Sequence, residues 1–165
     1  MSVSITKIEL INYRQYKKMT IDFEKNNNSH LHILKAKNGT GKTTFINAIT
    51  WCLYGEEKYL TDSENALNLP NEKVVENTEE NGSVSVTVRI TTKDSETNQI
   101  IVYTREHKYK VNFNIINKNK KTLFELDKFN IAITSLSDCS NSIIIDNVDE
   151  CNQIVDTYFN RSIFG

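Results

Sequence analysis

The sequence predicts an α/β fold, and three observations point to it. A short apolar run, Leu31-His32-Ile33-Leu34, feeds into a glycine-containing stretch, Asn38-Gly39-Thr40-Gly41-Lys42-Thr43-Thr44. A helical pattern follows at once, with Phe45, Ile46, Ile49, Cys52 and Leu53 at helical spacing and Gly55 where a C-terminal cap is expected. Farther along, Val84, Val86, Val88 and Ile90 alternate with polar residues, the period of a half-buried strand. Strand, glycine loop, helix is the order that a phosphate-gripping unit requires.

Taken in order, Ser4 to Ile11 reads as a strand with apolar Ile5, Ile8, Leu10 and Ile11, and Met19 to Phe23 alternates as a second. Asn12, Tyr13, Arg14 and Gln15 form the turn between them, and Glu24 to Ser29 is a polar loop. Lys42 to Tyr54 is the best-defined helix. Glu56 to Gly82 is an acidic excursion that carries the single proline, Pro70, with room for a short helix. A hairpin follows, Val84–Ile90 and Ile100–Tyr103 around a polar turn at Lys93–Asn98. Val111–Ile116 and Thr122–Leu126 around Asn117-Lys118-Asn119-Lys120 read as another. Ile143-Ile144-Ile145 is a short strand, and Asp146 to Phe159 is a helix with Val148, Cys151, Ile154, Val155 and Tyr158 on one face. No internal repeat or low-complexity tract interrupts this pattern.

A chain of 165 residues with 38% apolar and 25% charged residues is about one globular domain. Its net charge of −1 argues neither for nor against a nucleic-acid partner, but the charges are unevenly placed. Glu56 to Glu80 holds eight acids and two lysines, whereas Arg105 to Lys121 holds six bases against Glu106 alone. Cys52, Cys139 and Cys151 have no metal-ligand spacing with each other or with His30, His32 and His107, which argues against zinc and for reduced thiols in a cytoplasm. No apolar run approaches the ~20 residues that cross a bilayer, so no membrane span is expected.

The glycine stretch carries the chemistry. Backbone N–H groups around Gly39 and Gly41 can converge on phosphate oxygens because glycine permits close approach, and the helix that follows adds its N-terminal positive end. Lys42 would bridge the β and γ phosphates of ATP, Thr43 would place its hydroxyl on Mg²⁺, and Thr44 would contact the α-phosphate side. The first glycine of the full pattern is replaced here by Ala36.

Ile8-Glu9-Leu10-Ile11-Asn12-Tyr13-Arg14, the phosphate loop, and Ala48-Ile49-Thr50-Trp51-Cys52-Leu53-Tyr54-Gly55 together resemble the N-terminal head segment of the SMC/RecF-type ATPases. The nearest look-alikes are the double-strand-break-repair ATPase and the ATPase of DNA sulfur modification. Val84–Ile90 followed by Ile101-Val102-Tyr103-Thr104-Arg105 is similar to the β-hairpin lobe of those heads. The resemblance implies a P-loop NTPase of the ABC-ATPase head type: a mixed sheet plus an antiparallel β lobe, present as its N-terminal half. In these terms residues 1–55 hold the first strands, the loop and the first helix, 56–82 the excursion, 83–128 the β lobe, and 129–165 a strand and helix. It further implies that the arginine matching the family's N-terminal arginine, Arg14, reaches the nucleotide. Two heads would close each other's sites as a homodimer, with DNA and a nuclease or other DNA-processing subunit as partners, in repair, modification or anti-phage defence. The residues that complete hydrolysis would lie in a C-terminal half, and the family's magnesium-contacting glutamine has only Gln153 as a candidate here.

Other readings of individual residues stand beside these. Asp146 with Glu150 nearby resembles the acidic strand end of an ATPase site, but also a plain strand-to-helix junction. Arg105, Lys108, Lys110, Lys118, Lys120 and Lys121 are candidate DNA-backbone contacts, or else a solvated hairpin face. Trp51, Phe45 and Tyr54 read as packing residues. For the whole chain, the alternatives are a transporter's nucleotide-binding subunit and an interaction module that binds ATP without turnover.

Overall fold

A computed structural model of the chain describes residues 3–24, 42–57, 69–114, 119–135 and 142–159. Six strands, β1 (Val3–Tyr13), β2 (Tyr16–Asp22), β3 (Ser83–Asp94), β4 (Ile100–Asn114), β5 (Asn119–Thr134) and β6 (Ser142–Ile145), form one sheet in the order β2-β1-β3-β4-β5-β6. Every pair among them is antiparallel. Three helices accompany it: α1 (Lys42–Tyr54), α2 (Glu72–Glu76) and α3 (Val148–Tyr158).

Alternation along each strand sorts the sheet into two faces. Ile8 and Leu10 of β1, Val86, Val88 and Ile90 of β3, Ile101 and Tyr103 of β4, and Phe129 and Ile131 of β5 are all buried. They meet Phe45, Ala48, Trp51, Cys52 and Leu53 of α1 and Cys151 and Val155 of α3 in one core. α1 lies across β3 and β4, and its Cys52 thiol donates to the carbonyls of Val88 and Tyr103. A satellite cluster of Val75, Val84 and Val111 seats α2 near the far end of the β4–β5 hairpin.

The helix expected over Lys42–Tyr54 is present with those bounds, and Gly55 has the left-handed φ of +77° that its capping position requires. The short helix anticipated in the excursion is α2, opened by the Asn71 side chain accepting from the Val74 amide. The expected strand Leu31–Leu34 and residues 38–41 of the expected phosphate loop lie outside the described residues.

Three expectations are corrected. The strands expected separately at Ile100–Tyr103 and Val111–Ile116 are one continuous strand from Ile100 to Asn114. The basic run between them hid it, because Arg105 and His107 stand at inward positions where an apolar residue is expected. β5 likewise runs on from Asn119 to Thr134, so Asn119 and Lys120 are strand rather than turn. A register shift between Lys108 and Tyr109 breaks the simple alternation that would have revealed its length. The last helix begins at Val148 rather than Asp146, because Asn147 is its cap: the Asn147 side chain accepts from the Glu150 amide at 3.1 Å.

Candidate functional site

Thr43 is exposed and Thr44 half-buried in the first turn of α1. That turn contains no acidic residue, so no carboxylate of its own neutralises the positive helix end. From Phe45 onward the helix is buried on most sides, with Asn47, Ala48, Thr50, Trp51, Cys52 and Leu53 all enclosed. Trp51 packs at a tilt against Tyr13 (5.7 Å) and edge-on to His107 (4.7 Å), while Phe45 is buried and Tyr54 half-buried, so these aromatics are packing residues. The helix is held as a rod whose N-terminal end presents Thr43 and Thr44.

Arg14 lies at the other end of that rod. Asn12 and Arg14 adopt positive φ, +56° and +48°, in the β1–β2 turn. The turn is held in that conformation from several sides: Arg14 N–H donates to Leu69 O, Asn71 N–H to Asn12 O, and the Asn71 side chain to Arg14 O. The left-handed Asn12 also breaks the strand's alternation, which turns Tyr13 back toward Trp51. Arg14 then donates through Nε (2.7 Å) and Nη2 to the two oxygens of Glu57, and the Tyr13 hydroxyl donates to the same carboxylate. Glu57 is only 3% exposed, so these three donors are what make a buried carboxylate tolerable. Burial first, then Glu57, pushes the Tyr13 hydroxyl well above its ordinary pKa, and the hydrogen bond to Glu57 is the main cause raising that of Arg14. Glu57 near the start of the acidic excursion and Leu69–Asn71 within it are therefore fastened to one turn.

The basic residues of β4 and β5 divide between the two faces. Lys108 and Lys110 alternate on the outward face, and Lys121 joins them there opposite Asn112. Lys128, opposite Glu106, adds a fourth amine to that face, which the sequence reading did not single out. Lys120, opposite Phe113, points the other way and donates to the carbonyls of Glu76 (2.5 Å) and Thr78 (2.7 Å), closing the C-terminal end of α2. Arg105 also faces inward, 6% exposed, where Nε donates to the Cys52 carbonyl (3.0 Å) and Nη1 to Asp127. Lys118 lies outside the described residues. The candidate DNA contacts are thus brought together only in part.

Asp127 serves a second partner, His107, whose Nε2 is 2.9 Å from Oδ1. Burial lowers the His107 pKa and Asp127 only partly offsets this. Burial likewise pushes the Cys52 thiol up to about 12, opposed by Arg105, so Cys52 is a packing group rather than a nucleophile. Asp146, Glu150 and Gln153 are all exposed, Asp146 in the link from β6 to α3 and the other two on α3. Among the described residues no group of histidine, cysteine and acidic side chains is arranged to hold a metal, and no helix is long and apolar enough to cross a membrane.

Glu57, Asn71 and Asp127 are the residues that sequence reasoning passed over. Glu57 and Asp127 had one available signal, an acid that could answer a buried base, but nothing in the chain indicated which base.

A family model described as an AAA domain matches residues 7–163, nearly the whole chain. No curated protein and no solved structure gives a significant match.

Proposed function

The chain belongs to the AAA domain family of P-loop ATPases, and we propose that it binds Mg²⁺-ATP through residues 38–44 as the N-terminal part of a DNA-associated, SMC/RecF-like ATPase head. The observation that carries this reading is the start of α1 at Lys42, directly after the glycine stretch, with no acidic residue in its first turn and an exposed Thr43. Asn38, Gly39, Thr40 and Gly41 would supply backbone donors to the phosphates, Lys42 the charge between β and γ, Thr43 the hydroxyl for Mg²⁺ and Thr44 a further phosphate contact. The metal, when bound, neutralises charge developing between the β and γ phosphates.

Arg14 would reach a nucleotide only by leaving Glu57, since both sit at the end of α1 opposite Lys42. Hydrolysis is assigned to the pairing of two heads and to a C-terminal half, in line with the SMC/RecF resemblance. Lys108, Lys110 and Lys121 form the part of the basic patch that duplex DNA could touch, with Lys128 beside them. A cytoplasmic homodimer working with a nuclease or other DNA-processing subunit completes the reading.

The test is titration of the chain with a fluorescent ATP analogue in Mg²⁺, beside Lys42→Ala. Saturable binding that the variant loses by about tenfold or more supports the reading. Equal binding by both proteins, or none by either, overturns it.

A further inference from the structure

The last turn of α1 contains no basic residue, yet its carbonyls form the negative end of a buried helix. The cation comes from β4. Arg105 donates from Nε to the Cys52 carbonyl at 3.0 Å and from Nη1 to both Asp127 oxygens at 3.0 and 3.2 Å. Its guanidinium lies 4.3 Å over the Phe129 ring. Just beyond the helix, a Cβ on Gly55 would stand 3.3 Å from Nη1 and 3.5 Å from Cζ, so the chain leaves α1 in close contact with the guanidinium. One side chain therefore caps the helix, neutralises its end, and limits how the chain departs.

We propose that Arg105 is a positioning residue for the phosphate loop: it sets where α1 lies along the sheet, and so where Lys42, Thr43 and Thr44 stand at the opposite end. This rests on the nucleotide reading above. The two ends are about 18 Å apart at the rise of an α-helix, and a buried helix transmits axial placement over that length as a stiff body. Apolar packing against β3 and β4 is a weak axial restraint, because aliphatic contacts are non-directional. A hydrogen bond to one named carbonyl, an ion pair and a glycine in close contact with the guanidinium together favour a single axial position. The planar guanidinium makes the carbonyl, carboxylate and ring contacts at once, which a lysine ammonium cannot do. Tyr13 and His107, on either side of Trp51, and the Cys52 thiol on the Val88 and Tyr103 carbonyls also hold the helix, and Arg105 is the charged restraint at its C-terminal end.

The experiment compares the full chain with Arg105→Met, Arg105→Lys, Gly55→Ala and a control, Val84→Ala, which loosens the satellite cluster at a site remote from α1. Three quantities are followed: fluorescent ATP-analogue affinity with Mg²⁺, the emission of Trp51, the sole tryptophan, and hydrogen exchange of the α1 amides. In Arg105→Met, nucleotide affinity is expected to fall about tenfold, Trp51 emission to shift and α1 protection to drop. Lysine is expected not to restore it, and Gly55→Ala to act in the same direction but less. Val84→Ala, studied where it is equally destabilised, is expected to stay within about twofold in affinity.

The proposal is overturned if folded Arg105→Met binds nucleotide like the original, or weakens only as far as Val84→Ala does. Should the methionine variant not fold, Arg105→Lys decides on the same two criteria. Absence of nucleotide binding by the unaltered chain would defeat the ATP reading alone. The anchor is then judged by Trp51 and exchange, and native values of both in Arg105→Met would sink it.

Discussion

Arg105 and Lys108 stand three residues apart on β4 and lie on opposite faces of the sheet. The inward face takes a full positive charge and surrounds it with a carbonyl, a carboxylate and a ring. The outward face leaves its amines to water: Lys108 is exposed, and the ion pairs there, Lys7 and Arg89 on Glu9, are half-exposed. The same kind of residue is structural on one side and available for binding on the other. What differs is the cost of leaving it unpaired, several kilocalories inside and nearly nothing outside.

The sharpest way to break this comparison is Arg14→Ala. It leaves the Glu57 carboxylate enclosed with only Tyr13, and is expected to cost about 3–5 kcal/mol. Urea unfolding measures it, and a loss under about 1 kcal/mol would show that Glu57 reaches solvent after all. Arg105→Met is expected to cost less, about 2–3 kcal/mol, because Asp127 is 43% exposed and water can replace the lost partner.

A smaller effect comes from His107. Its pKa is lowered in the folded protein from 6.5, chiefly by burial, so the unfolded chain binds its proton more readily. That stability is whole above about pH 6.5 and declines as pH falls through that value toward the lower folded pKa. The melting temperature should therefore drop between about pH 7.5 and 5.5, and His107→Gln should flatten the drop. An identical slope in the variant would assign the effect to other groups.

The smallest expected effect on stability belongs to the outward face. Replacing Lys108, Lys110 and Lys121 together by alanine should change unfolding by about 0.5 kcal/mol or less. If these amines meet DNA, the same variant should lose affinity, and its salt dependence should flatten by about 0.9 per phosphate contact removed. A large stability loss would mean that the outward face is structural too. Unchanged DNA affinity would place the nucleic-acid contact elsewhere.

Much of the fold could be read from the chain because it depends on near neighbours. Capping, helical spacing and the glycine after Tyr54 are local, and they delivered α1 with its observed bounds. The alternation of Val84 to Ile90 likewise marked the most buried strand. The glycine stretch at residues 38–44 could be read as a candidate phosphate loop for the same reason, since its residue types and spacing carry their chemistry wherever the loop is placed. Where polar residues occupied inward positions, as in β4, the periodic signal failed and one strand looked like two.

The sequence by itself determined most of the elements, the composition of the candidate phosphate loop and the presence of a basic stretch from Arg105 to Lys121. Tertiary structure alone decided which of those bases faces the core, which acid answers it, and at which end of α1 Arg14 comes to rest. Those outcomes turn on strand register and on contacts between residues 22 and 43 positions apart, Arg105 with Asp127 and Arg14 with Glu57. No local pattern encodes such pairings, because a buried charge finds its partner only when packing has brought the two together.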